Sequence, residues 1–125
     1  MEGLVELAGD PSNDLVVTAL VGMIGVRPTI AAVEAGNDVA LANKETLVTA
    51  GHIIIPLVKE KGVKLLPIDS EHSAIFQCLM GNADRREIKK LILTCSGGPF
   101  FGMNRQELEN VTKADALRHP NWKMG

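Results

Sequence analysis

The apolar run from Val63 to Ile68 stops abruptly on Asp69-Ser70-Glu71-His72. Short apolar runs bounded by polar residues are how strands of a parallel sheet, covered on both faces, read in sequence. In such sheets ligands gather in the crevice beyond the carboxyl ends of the strands. A strand that ends on Asp69 and Glu71 would therefore deliver charge to that crevice. Two carboxylates at i and i+2 of an extended stretch can converge on one hard cation such as Mg²⁺ or Mn²⁺. They offer oxygen only, which argues against zinc. The same residues can also be a capped helix start, with Asp69 as N-cap and Glu71 beside the positive end of the helix dipole. Both readings stay open at this point.

Other stretches repeat the pattern and predict an α/β fold with a parallel, Rossmann-like sheet. Gly3 to Ala8 resembles the end of a helix, and Asp10-Pro11-Ser12-Asn13 a turn. Leu15 to Val21 is β-branched and apolar, as expected of a buried strand, and Pro28 sits near the start of a helix that Gly36 closes. Asp38 to Ala42 is a second short strand, and Leu47 to Lys61 a helix stopped by Gly62 and kinked or restarted at Pro56. Val63 to Ile68 is the third strand, and Ser73 to Leu79 has helical spacing of its apolar residues. Lys89 to Thr94 reads as a fourth strand with Leu91, Ile92 and Leu93 buried. Beyond it, Asn104 and Thr112 are placed to cap short helices at 106–110 and 113–117.

Composition removes several function classes. The net charge of -2 leaves no basic footprint for nucleic acid. No run of about 18 apolar residues is present to cross a membrane, and the first residues have no basic-then-apolar leader pattern. These features predict a cytoplasmic chain with no nucleic-acid or membrane partner. Aromatic residues make up only 3%, so the core must be aliphatic. Cys78 and Cys95 lie in apolar surroundings without metal spacing and read as reduced core thiols.

Candidate chemistry clusters where the runs end. Lys44, beside the second strand end, can hold an oxyanion or polarise a hydroxyl, while Asn43 and Glu45 can bond sugar hydroxyls. The alternative is a helix start capped by Asn43, with Lys44 in solvent. Gly22-Met23-Ile24-Gly25 lacks the dinucleotide spacing and suits tight strand-to-helix packing better than a phosphate cradle. Ser96-Gly97-Gly98 could leave backbone amides open as an anion nest, or be an ordinary turn before Pro99. His72 could be a ligand or proton shuttle, but capping or support of a neighbouring group suits it better, because no second histidine stands at metal spacing. His119 to Gly125, with its lone Trp122, suits a mobile lid or a packed turn.

Four blocks in this order, Ala40 to Gly51, Leu66 to Leu79, Leu93 to Phe100 and Arg118 to Gly125, together resemble the 1-deoxy-D-xylulose 5-phosphate reductoisomerase family. The resemblance runs from about Gly3 to Gly125. It implies an enzyme that uses NADPH and Mg²⁺ or Mn²⁺ to convert 1-deoxy-D-xylulose 5-phosphate to 2-C-methyl-D-erythritol 4-phosphate in non-mevalonate isoprenoid synthesis. It implies Asp69 and Glu71 as metal ligands, and Lys44 and Glu71 as catalytic residues. Lys44, Ser70, Glu71, Ser96 and His119 would contact the phosphorylated sugar. Asn43, Glu45 and Gly125 would contact NADPH, and Trp122 and Met124 would belong to a lid. Thr46 stands where serine is common in the family. The strand-end groups at 43–45, 69–71 and 96 would face one crevice.

The resemblance also implies a central fragment, without the family's upstream glycine-rich cofactor turn and its downstream C-terminal region. Residues 1–45 would end the Rossmann-like, parallel-sheet NADPH-binding domain and 46–125 begin the α+β catalytic domain, with the lid loop at about 96–125. The 125 residues alone are expected to be inactive, and the intact enzyme to be a homodimer, in a bacterial cytoplasm or a plastid. The alternative is a non-catalytic α/β module that binds a phospholigand or a partner through Ser96-Gly97-Gly98.

Overall fold

The computed structural model describes residues 1–81, 84–94 and 97–121. The chain divides into two compact units, Met1–Leu91 and Ile92–Gly125.

The first unit runs α1 (Glu2–Ala8), β1 (Leu15–Thr18), a 3₁₀ turn (Gly22–Gly25), α2 (Val26–Glu34), β2 (Asp38–Leu41), α3 (Glu45–Lys61), β3 (Leu65–Pro67) and α4 (Ser70–Met80). The three strands are parallel, in the order β1-β2-β3, with Leu15 opposite Asp38 and Val39 opposite Leu65. Parallel neighbours need crossover connections, and α2 and α3 supply them. Each helix turns one stripe inward: Pro28, Thr29, Ala32 and Val33 on α2, and Thr46, Ala50 and Ile54 on α3. That is the period of an amphipathic helix. β2 is the central strand, and its Val39, Ala40 and Leu41 are all buried. The core joins Ala8, Ala32, Val33, Val39 and Leu41. Asn37 is buried too, and its amide donates to the Ala8 and Asp10 carbonyls at 3.0 and 2.9 Å. Gly62 closes α3 in the left-handed conformation, φ 69°, as a helix C-terminus favours.

Several expectations are corrected. No fourth strand forms at 89–94 among the described residues; the sheet has three strands, and Leu91, Ile92 and Leu93 are exposed at 59, 69 and 59%. A strand needs a neighbour's hydrogen-bond ladder, and the apolar pattern alone does not supply one. β1 is not fully buried: Leu15 and Val17, which share one face of the strand, are 47 and 61% exposed, while Val16 and Thr18 on the other face are covered. The non-helical residue in α3 is Ala50 (φ -130°, ψ 19°), not one at Pro56. Thr46, Ala50 and Ile54 are all buried, so the core contacts of α3 are kept across that break. Cys78 is exposed rather than a core thiol, since α4 buries none of its residues fully.

The second unit contains two four-residue helices, α5 (Arg105–Leu108) and α6 (Lys113–Ala116). Asn104 and Thr112 cap them as anticipated, each in a reciprocal capping box, with Glu107 and Asp115 closing the boxes. Among the described residues no helix is long and apolar enough to cross a membrane.

Candidate active site

The carboxyl ends of β2 and β3 lie side by side because Leu41 pairs with Pro67. The chain leaves β2 through Asn43-Lys44 into α3, and leaves β3 through Ile68-Asp69 into α4. Two helix starts are thus brought together, with Lys44 and Asp69 at the N-cap positions. Neither side chain caps its own helix. Instead the Lys44 ammonium donates to Asp69 Oδ2 at 2.6 Å. The simple capped-start readings therefore fail for both residues: the Asp69 carboxylate is spent on Lys44, and Lys44 is paired rather than free in solvent.

This pairing shapes the charge of the site. The bonded Lys44 ammonium holds the Asp69 carboxyl below the usual carboxylate range, and the Asp69 carboxylate raises Lys44 in return. The second Asp69 oxygen, Oδ1, is buried and has no hydrogen-bond partner. His72 Nδ1, in the first turn of α4, lies 3.2 Å from it. Ser70 and Glu71 occupy the first turn of α4, Ser70 exposed and Glu71 half-buried. The neighbouring carboxylates of Asp69 and Glu71 offer oxygen atoms of the kind a hard divalent cation takes. Among the described residues no third His, Cys, Asp or Glu completes such a group. A cleft of about 590 Å³ adjoins these residues, floored by Leu41, Leu47, Leu65 and Pro67, with Lys44, Asp69 and His72 as its polar members.

Asn43 is arranged differently. It is 2% exposed, and its amide nitrogen donates to the Gly22 carbonyl at 3.0 Å and to Glu45 Oε2 at 2.6 Å. Its Oδ1 accepts from the Thr46 hydroxyl at 2.7 Å. Asn43 is therefore not the cap of α3. Gly22–Gly25 forms a 3₁₀ turn packed against α3, in keeping with the packing reading of that motif.

The structure thus brings together Asn43 with Glu45, and Lys44 with Asp69 and His72, with Ser70 and Glu71 adjoining. His119 belongs to the second unit, half-buried, its Nδ1 accepting from the Asn121 backbone at 3.0 Å. Ser96, Trp122, Met124 and Gly125 lie outside the described residues. Sequence reasoning missed two buried hydroxyls near the strand ends. Thr46 is fully buried against Asn43, and Thr18, 3% exposed at the end of β1, has a hydroxyl with no hydrogen-bond partner. The spacing of Thr46 from Asn43, one helical turn, was the available signal for the first.

Comparison with known proteins agrees over the whole chain. Residues 1–51 match the profile of 1-deoxy-D-xylulose 5-phosphate reductoisomerase, and residues 65–125 that of its C-terminal domain. The reductoisomerase of Agathobacter rectalis is 63% identical over all of this chain and 33% of its own length. That of a Geobacillus species is 61% identical over 99% of this chain and 32% of its own. A crystal structure of DOX-P reductoisomerase in complex with NADPH, fosmidomycin and magnesium superposes with a TM-score of 0.69 at 47% identity, over 99% of this chain and 33% of that one. The Zymomonas mobilis enzyme in complex with NADPH gives 0.70 at 44% identity, over 95% of this chain and 31% of that one. The chain spans about a third of the length of the curated relatives it matches.

Proposed function

Because this chain belongs to the 1-deoxy-D-xylulose 5-phosphate reductoisomerase family, we propose that it is the central segment of an enzyme that rearranges and reduces 1-deoxy-D-xylulose 5-phosphate to 2-C-methyl-D-erythritol 4-phosphate. NADPH and a divalent cation are its cofactors in this reading, supported by solved relatives that contain NADPH and magnesium. Residues 1–45 would close the NADPH-binding part, and 46–125 open the catalytic part with its lid. The bacterial sources of the relatives support a cytoplasmic setting, and by family resemblance the intact enzyme is read as a homodimer.

One observation carries the site assignment: the Lys44–Asp69 pair at adjoining strand ends, with the second Asp69 oxygen buried beside His72. Asp69 and Glu71 would hold the cation, whose positive charge stabilises negative charge developing on substrate oxygens. Two carboxylates alone bind such an ion weakly, since affinity follows ligand number and charge. Lys44 presents an ammonium to a hydroxyl or oxyanion of the sugar, and Ser70 a hydroxyl. Glu45 presents its carboxylate to the dinucleotide from the start of α3. The apolar floor of the cleft keeps water from the reacting carbons. Ser96 and His119 as substrate contacts, Gly125 as a cofactor contact and Trp122 and Met124 as lid residues complete the reading.

The test is made in a full-length chain carrying this segment. Asp69→Asn and Glu71→Gln should each lower kcat by roughly 100-fold or more, the scale of losing one charge-stabilising group, and weaken Mn²⁺ binding followed by electron paramagnetic resonance. Unchanged NADPH consumption with the sugar phosphate in both variants would refute the reading.

A further inference from the structure

Asn43 is buried, and both its polar atoms are engaged inside the protein. Its amide nitrogen donates to the Gly22 carbonyl and to Glu45 Oε2, and its oxygen accepts from the Thr46 hydroxyl. At 2% exposure it presents almost nothing to a ligand. Gly25 packs so tightly here that a Cβ on it would overlap Asn43 Oδ1 and press on Thr46 Oγ1. The peptide of Gly25 is held from its other side, where its carbonyl accepts from the fully buried Thr29 hydroxyl at 2.7 Å. The Asn43 amide is thus clamped between a glycine and a threonine, and the group it aims is the Glu45 carboxylate.

We propose that Thr46 is a positioning residue for the cofactor site: its hydroxyl fixes the Asn43 amide, which in turn holds the Glu45 carboxylate in the orientation that meets the dinucleotide. Asn43 then serves the dinucleotide through Glu45 rather than through its own side chain. The Gly22 carbonyl and the Glu45 carboxylate can only accept, so they draw the amide nitrogen, and the Thr46 hydroxyl, donating to the oxygen, ties down the amide's other end. Loss of the Thr46 bond leaves the buried amide oxygen unpaired and loosens the amide's hold on Glu45. This inference rests on the reading of Glu45 as an NADPH contact.

The experiment uses the Agathobacter rectalis reductoisomerase with this 125-residue segment exchanged into it at 63% identity. The dissociation constant of NADPH is measured by nucleotide fluorescence, beside the KM for the sugar phosphate and the melting temperature. Thr46→Val keeps shape and loses the hydroxyl. It should weaken NADPH by about three- to tenfold, the size of one hydrogen bond, with the sugar-phosphate KM within about twofold of the parent. Thr46→Ser restores the hydroxyl and should restore NADPH binding. Asn43→Asp places an acceptor against Glu45 and the Gly22 carbonyl and should weaken NADPH at least as much; it decides the matter if Thr46→Val does not fold. NADPH affinity unchanged in the folded Thr46 and Asn43 variants, or Thr46→Val weakening NADPH and sugar phosphate equally, overturns the proposal. Glu45→Gln separates it from its premise. If Glu45→Gln weakens NADPH and the Thr46 and Asn43 variants do not, the positioning role alone falls. If Glu45→Gln has no effect, the cofactor reading of Glu45 falls, and the inference with it.

Discussion

The two compact units keep their order by opposite means. In Met1–Leu91, order comes from distant parts of the chain meeting: Val39 of the central strand packs with Ala8 and Val33, and Lys44 finds Asp69 across 25 positions. In Ile92–Gly125 no described residue is buried, and the bonds that shape α5 and α6 are local. The Asn104 side chain accepts from two amides of α5, and Thr112 and Asp115 bond each other reciprocally across three positions. A four-residue helix is far too short to be stable by propensity, so its caps carry it. Chemistry that needs fixed geometry belongs in the first kind of unit. A segment that must rearrange belongs in the second, where few contacts have to break.

The largest expected effect tests the first half of that contrast. Ile54 is fully buried, and Ile54→Ala should cost about 2–5 kcal/mol through lost transfer energy and a cavity. Urea unfolding followed by circular dichroism measures it. Leu108→Ala, at a residue 38% exposed in the second unit, should cost far less. Equal costs would erase the distinction between the units.

Removing the caps comes next. Asn104→Ala or Thr112→Ala should destabilise its own short helix by roughly 0.5–2 kcal/mol. Amide hydrogen exchange should then quicken in 105–116 and stay unchanged in β2 and α3. Faster exchange throughout would mean that the second unit's order supports the first.

The charged pairs sharpen the comparison through pH. Asp69 is held low by a distant lysine, whereas Asp115 is held low first by the neighbouring Thr112 hydroxyl. A lowered carboxyl contributes stability above its ordinary value of 3.8, and that contribution is lost as pH falls through the depressed value. The raised Lys44 contributes below its ordinary 10.5 and loses this as pH rises through the raised value. Half of the Lys44 side chain is exposed, so solvent screens the pair. In Lys44→Met the Asp69 titration, read by carboxyl carbon NMR, should move up towards the ordinary value while Asp115 stays in place. Movement of Asp115 as well would contradict the local origin of its shift.

The smallest effect is expected at Lys64, whose ammonium is 3.6 Å from Asp38 and 74% exposed on its side chain. Lys64→Ala should alter stability by no more than about 0.5 kcal/mol, as for most exposed pairs. The Lys64 backbone amide still donates to Asp38 in that variant, so the entry to β3 keeps its anchor.

Features written in local spacing are legible in the amino-acid order itself. Gly62 marks the end of α3, Asn104 and Thr112 mark the starts of their helices, and three apolar runs mark β1, β2 and β3. What depends on a partner elsewhere is not legible in this way. The run at 91–93 has a strand's composition but no ladder, and Cys78 has helical spacing but no layer above it. In the candidate site, strand ends rich in Asn, Lys, Asp and Glu point to the right places. Spacing cannot tell that Lys44 takes Asp69 from its cap, or that the Asn43 amide is consumed inside the protein.

Asn37 gives α1 an unusual status. A seven-residue helix generally opens readily, but this buried amide has its two acceptors at Ala8 and Asp10. Peeling α1 away would strand an amide in an apolar interior, a penalty that ordinary thermal opening of a short helix does not meet. α1 and the turn that follows it are therefore latched from within: a protease should find its earliest cuts elsewhere, and a deletion that removes Ala8 and Asp10 should unsettle β2.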